Sequence, residues 1–191
     1  VAFSEGPADC TSSTYQRDFV PRIVLSVLRS DAEEVTGLFS RQSGKSHGVA
    51  AIVNGLMVML PLLAQLRVNP GDESSKPVFA DPRIQKFRKG FWVGIYAPSH
   101  EQAQIVYGRM LSLIHSEHAA EILADDEIGI ELDENKGTSK IDLPNGSFAT
   151  CHSAAPQAKI EGKTWHLIIM DEAQDLNVYV YKKSISPMGA A

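Results

Sequence analysis

The sequence predicts an α/β domain, a mostly parallel sheet covered by helices. Three observations carry this. Short apolar or β-branched runs alternate with longer segments of helical spacing. A Gly-Lys-Ser triplet stands between a strand-like run and an apolar helix, and a later apolar run ends in two acids. The 191 residues suffice for one domain with a real core, not for two ordinary ones.

In chain order, residues 1–14 are polar and read as loose. "TYQRDFVPRIVLSVLRS" (14–30) has roughly helical spacing interrupted by Pro21. "EEVTGLFS" (33–40) is short and partly β-branched, which suits a buried strand. A helix is expected from about Ser46. Its apolar stretch 49–66 contains Asn54 and Pro61 and barely reaches spanning length, so it reads as a core helix rather than a membrane span. The Pro-, Gly-, Ser- and acid-rich 68–82 is a loop, and "GFWVGIYAP" (90–98) a strand. Ser99 and Gln102 form a capping box ahead of a helix whose face carries Ala103, Val106, Met110 and Leu113. The acids over 125–134 read as a solvated loop, and 140–153 as a β-hairpin turning at Asn145-Gly146. "WHLIIMDEAQDL" (165–176) is a strand, buried on both faces over Leu167–Met170, that ends in acids.

The balance of 43% hydrophobic and 21% charged residues is that of a globular protein, and a net charge of −5 excludes a protein that coats nucleic acid by global positive charge. A motor with a local basic strip stays allowed. Cys10 and Cys151 are too few for a disulfide scaffold and lack metal spacing, which favours a reducing compartment. The first residues show no signal peptide, and both ends of the chain read as cut.

Gly44, Lys45 and Ser46 fill the last three places of a phosphate-binding loop, the Walker A motif. Backbone N–H groups there cradle phosphates, the lysine supplies charge, and the hydroxyl helps hold Mg²⁺. The following helix turns its positive end to the same anion. The opening glycine is replaced by Phe39, and a surface turn capped by Ser46 is the plain alternative. Such a site also needs a carboxylate at the metal and one that addresses water, the Walker B motif. "LIIMDEAQD" offers Asp171 for the first and Glu172 for the second. Together the two motifs point to a nucleotide-hydrolysing enzyme.

"SRQSGKS" (40–46) resembles the variant loop of viral large terminase subunits, the ATPases that pump double-stranded DNA into procapsids. In that family an Arg-Gln pair commonly precedes the x-G-K-[ST] ending and the first glycine is often absent. "IEGKTWHLIIMDEAQDL" (160–176) and "WVGIYAPSHEQAQIVYGRML" (92–111) resemble the family's Asp-Glu strand and its Ala-Pro-[ST] strand–helix segment. The resemblance covers most of 36–176, in the family's order. It implies a RecA-like P-loop ATPase core with ATP and Mg²⁺ as cofactors.

By resemblance, Gln42, Ser43, Gly44, Lys45 and Ser46 bind nucleotide, Ser46 and Asp171 bind metal, and Glu172 is catalytic. Arg41 matches the loop arginine that stabilises the γ-phosphate; a loop-holding salt bridge is its alternative. Tyr15-Gln16 resembles the glutamine element that reads adenine, against a plain helix-start glutamine. Implied partners are double-stranded DNA, a portal protein and a small terminase subunit, in a homo-oligomeric ring in the host cytoplasm, away from any membrane. Residues 1–32 would be the adenine side, 33–176 the core, and 177–191 the start of a continuation. The family's coupling-motif strand and its nuclease domain find no match in 177–191, so the chain is expected to be the front part of an ATPase domain. The runner-up is a DExx-type helicase or translocase.

Three further features carry less. His115 and His118 could share a helix face, but no third ligand is suitably placed for zinc. His152-Ser153 cannot make triad geometry alone. Arg83, Lys86, Arg88 and Lys89 interleave with Phe87 and read as a solvated charged approach to a strand, with DNA-backbone contact as the alternative.

Overall fold

The computed structural model describes residues 14–37, 45–72, 74–115, 129–133, 138–154 and 164–189, with backbone alone at 14–18, 129–133 and 138. Helix α1 is Thr14–Arg29, running through Pro21, and α2 is Lys45–Gln65. A short α3 (Pro82–Gln85) and a 3-10 turn (Lys86–Lys89) lead into β1 (Trp92–Ala97), then α4 (His100–Ile114). Strands β2 (Gly129–Asp133), β3 (Thr138–Asp142), β4 (Phe148–Ser153) and β5 (Leu167–Met170) follow. The chain closes through α5 (Val178–Val180), a π-helical turn (Tyr181–Ile185) and a 3-10 turn (Ser186–Gly189).

The five strands lie in the order β2-β3-β4-β1-β5. The β4-β1 and β1-β5 pairs are parallel, and β2 and β3 extend the sheet antiparallel from β4. The α/β class expected is therefore the one found, with the parallel part at the end that carries β1 and β5.

Alternation along the strands sends residues to two cores. Val93, Ile95, Ala97, Ala149 and Cys151 pack under α2 and α4, whose Val53, Met57, Val106 and Met110 are all but fully enclosed. α2 alone is long and apolar enough among the described helices to cross a membrane, yet half of its apolar stretch lies inside this core. On the opposite face Tyr96, Trp165, Ile168 and Met170 gather under the C-terminal turns, where Val180, Ile185 and Met188 are buried. Trp165 donates from Nε1 to the Tyr96 hydroxyl at 3.0 Å, satisfying the indole inside that layer.

Local signals are realised closely. Ser99 and Gln102 make the reciprocal capping box, and Ala103, Val106 and Met110 are buried with Leu113 partly so. β3 and β4 form the expected hairpin, with Gly146 at φ 84 in its turn. That turn crosses Gly90, at φ 110, so closely that a Cβ on Gly90 would lie 2.0 Å from the Gly146 carbonyl oxygen. Both positions demand glycine.

Three expectations are corrected. Residues 33–37 of the expected strand 33–40 are irregular and mostly exposed, while 38–40 lie outside the described residues. Among the described residues no neighbouring strand accepts its ladder, and Glu33 N–H instead bonds Ser26 Oγ and Asp31 Oδ1 at 3.2 Å each. Leu167–Met170 are only partly buried, because β5 is the outermost of the described strands. Within 125–134, Gly129–Asp133 is a strand rather than a loop: its Gly-Ile-Glu-Leu-Asp alternation pairs it with β3.

Candidate functional site

The carboxyl ends of β1 and β5 and the amino ends of α2 and α4 meet at one rim of the sheet. In open α/β sheets ligands bind at this rim. The β5 strand holds its register one residue beyond Met170, since Asp171 N–H donates to the Tyr96 carbonyl at 2.9 Å. Asp171 is thereby fixed to β1, and its side chain is largely enclosed, at 12% exposure. At Glu172 the backbone turns left-handed, φ 51 and ψ 46, a strained conformation for a residue with a side chain. That reversal points the second acid back over the rim.

Lys45 opens α2. Its ammonium lies 2.8 Å from Asp171 Oδ1 and 2.7 Å from Glu172 Oε1, although lysine and glutamate are 127 residues apart in sequence. Burial pulls the Lys45 pKa down, but hydrogen bonds and charge from the two carboxylates outweigh it, leaving the pKa above the ordinary lysine value. Lys45 is therefore an ammonium at any physiological pH. Gln174 Nε2 donates to the other oxygen, Glu172 Oε2. Glu172 is so held from both sides.

Of the residues singled out in the sequence, Lys45, Asp171 and Glu172 come together. Ser46 stands beside them in the first turn of α2, partly buried. Arg41, Gln42, Ser43 and Gly44 lie outside the described residues. Gln16 is in the first turn of α1, and its side chain lies outside them too. Gln174 was missed in the sequence. A turn two residues long has no periodicity to read, and only the amide's ability to donate to a carboxylate could have suggested it.

The donor set bears on a metal. Among the described residues no three His, Cys, Asp or Glu side chains gather as a metal cage. What the rim offers is one enclosed carboxylate, Asp171, a second at Glu172, and the Ser46 hydroxyl nearby. A cationic nitrogen already sits between the acids. Hard oxygen donors too few to enclose an ion fit Mg²⁺, which keeps waters and completes its shell with phosphate oxygens. A ligand bearing both phosphates and Mg²⁺ would give Lys45 new partners and neutralise the acids it now bridges.

No known family profile matches the chain, and no curated protein sequence does. Among solved structures it is similar to the large terminase ATPase domain of a Thermus phage, at 22% identity and a TM-score of 0.49. It is also similar to an arginine-to-alanine variant of that domain, at 21% identity and a TM-score of 0.47. In both cases 78% of this chain and 51% of the other are covered, so the chain spans about half the length of these neighbours. The likeness is one of fold alone.

Proposed function

We propose that the chain is the ATP-hydrolysing part of a viral large terminase subunit, a motor that drives double-stranded DNA into a procapsid. The observation that supports this most is the convergence of the Lys45 ammonium with Asp171 and Glu172 at the carboxyl rim of the sheet. The sequence resemblance of 40–46, 92–111 and 160–176 points the same way.

In this reading Gln42, Ser43, Gly44 and Lys45 hold the phosphates of ATP, helped by the positive end of α2. Ser46 and Asp171 hold Mg²⁺, which when bound neutralises charge on the phosphate oxygens. Lys45 leaves Asp171 and Glu172 for the β- and γ-phosphates. Glu172, released from the lysine but still held by Gln174, orients the attacking water and takes its proton as the water oxygen bonds to the γ-phosphorus and the bond from that phosphorus to the β–γ bridging oxygen breaks, releasing ADP and phosphate. Arg41 neutralises charge spreading over the transferred oxygens. Gln16 reads the adenine edge. The portal protein, the small terminase subunit and a ring of copies are the partners that fit such a motor, in the host cytoplasm.

The test is nucleotide binding and turnover by the chain with Lys45→Ala and Glu172→Gln. Lys45→Ala is expected to abolish Mg·ATP binding. Glu172→Gln keeps binding and loses at least about a hundredfold in turnover, as for removal of a general base. Unchanged binding by the lysine variant would overturn the assignment.

A further inference from the structure

At the other end of α2, a cleft of about 460 Å³ is lined by Gln65, Arg67, Gly71, Asp72 and Arg88. It lies roughly 30 Å from Lys45, the length of a 21-residue helix. One nucleotide cannot serve both places. The Arg67 Nη1 atom is buried and has no hydrogen-bond partner among the described residues. Buried polar groups are nearly always paired, and a guanidinium nitrogen enclosed without an acceptor marks a missing one. Asp72 does not supply it: its Oδ1 accepts from Ser74 N–H at 2.9 Å and from Ser74 Oγ at 2.6 Å.

The basic run 83–89 sorts itself around this cleft. Arg83 is bound to Asp81, and Lys86 donates to the Val27 and Leu28 carbonyls at the end of α1. Arg88 is exposed and turns to the cleft beside Arg67. The backbone is tied down at both arginines. Gln65 Nε2 donates to the Arg88 carbonyl at 3.0 Å, and Arg67 pairs by backbone with Pro77, flanked by Val68 N–H to the Lys76 carbonyl at 3.0 Å. Two guanidinium groups side by side at an open cleft match the oxygens of a phosphate, which they can grip by paired N–H donors.

We propose that the Arg67–Arg88 cleft is a phosphate-binding site, separate from the Lys45 rim. The phosphate is either a phosphodiester of a nucleic-acid backbone or a free anion, and the test separates the two. It uses the whole chain with Arg67→Gln, Arg88→Gln and both together, with Lys45→Ala as the control that removes phosphate binding at the rim.

In one arm, a labelled duplex of about 30 base pairs is titrated between about 50 and 200 mM salt. If the ligand is a backbone, affinity falls at least tenfold in the double variant. The log–log salt slope also drops by about 1.8, near 0.9 for each lost contact. In the other arm, inorganic phosphate is added at constant ionic strength. If the ligand is a free anion, the melting temperature rises in Lys45→Ala but not when both arginine substitutions are added to Lys45→Ala. Either result supports the site and names its source. Unchanged duplex affinity and slope in the double variant, together with an unchanged phosphate shift when both substitutions are added to Lys45→Ala, overturn it. Should Arg67→Gln fold poorly, the exposed Arg88→Gln alone must show about half the slope change or the same loss of phosphate shift. Its silence in both arms is equally fatal.

Discussion

His166 is a histidine kept neutral by its surroundings. Its ring stacks on Phe91 at 5.5 Å, tilts against Trp92 at 4.9 Å and meets the edge of Phe87 at 5.2 Å. Its Nδ1 accepts the Trp92 N–H at 2.9 Å, a bond that protonation would destroy. Burial first, and the nearby Lys86 charge second, bring the pKa down to about 4. The unfolded chain binds its proton near pH 6.5, the folded one only near 4, so the neutral ring's contribution is fully present above 6.5. It declines as pH falls through that window and is gone below about 4. The expected loss between pH 7 and 4 is on the order of 1–2 kcal/mol, discounted because water reaches part of the ring. Melting curves of wild type and His166→Asn should converge toward acid pH. Parallel pH profiles would show that the ring does not titrate in this range.

Among the elements, α2 shows how a helix tolerates an interior proline. Pro61 has no N–H, so the Met57 carbonyl one turn earlier lacks its helical donor. The β3–β4 turn supplies replacements: Asn145 Nδ2 at 2.8 Å and Ser147 Oγ at 2.7 Å both donate to that oxygen. Ser147 Oγ also accepts the buried Phe91 N–H at 2.9 Å. Ser147→Ala should therefore destabilise the chain by about 2 kcal/mol, with two buried backbone groups losing a partner. In a Pro61→Ala background the helix can supply its own donor, and the cost should shrink by about 1 kcal/mol. Denaturant melts of the two single variants and the double variant measure this coupling, and strict additivity would refute it. The same elements show what could be read in advance. The Ser99–Gln102 box and the Asn145-Gly146 turn depend on residues within a few positions of each other, so the sequence displays them. The bond from Asn145 to Met57 spans 88 residues and has no local sign. The strand expected at 33–40 failed over 33–37 for the same reason: a strand needs a neighbour, and β-branching says nothing about one.

Across the whole molecule, the candidate site is a closure between the start of α2 and the tip of β5. Lys45 and the Asp171–Glu172 pair could be picked out in the sequence as residue types suited to phosphate and metal, but their meeting depends on the β1–β5 pairing. That closure is held by partly exposed ion pairs, which stabilise little by themselves. A ligand that replaces them with tighter contacts should stabilise the chain by mass action, about 2.7 kcal/mol at a hundredfold excess over its dissociation constant. Mg·ATP is thus expected to raise the melting temperature of wild type and leave Lys45→Ala unchanged. Amide exchange should slow at the start of α2 and at the β1–β5 rim around Asp171, whose N–H is already bonded to Tyr96. The Arg67–Arg88 cleft lies a full helix length away, so at submillimolar Mg·ATP its amides should keep their nucleotide-free exchange rates. Protection confined to that cleft, with none at the rim, would place the nucleotide at the wrong end of α2 and dismantle the proposed ATPase.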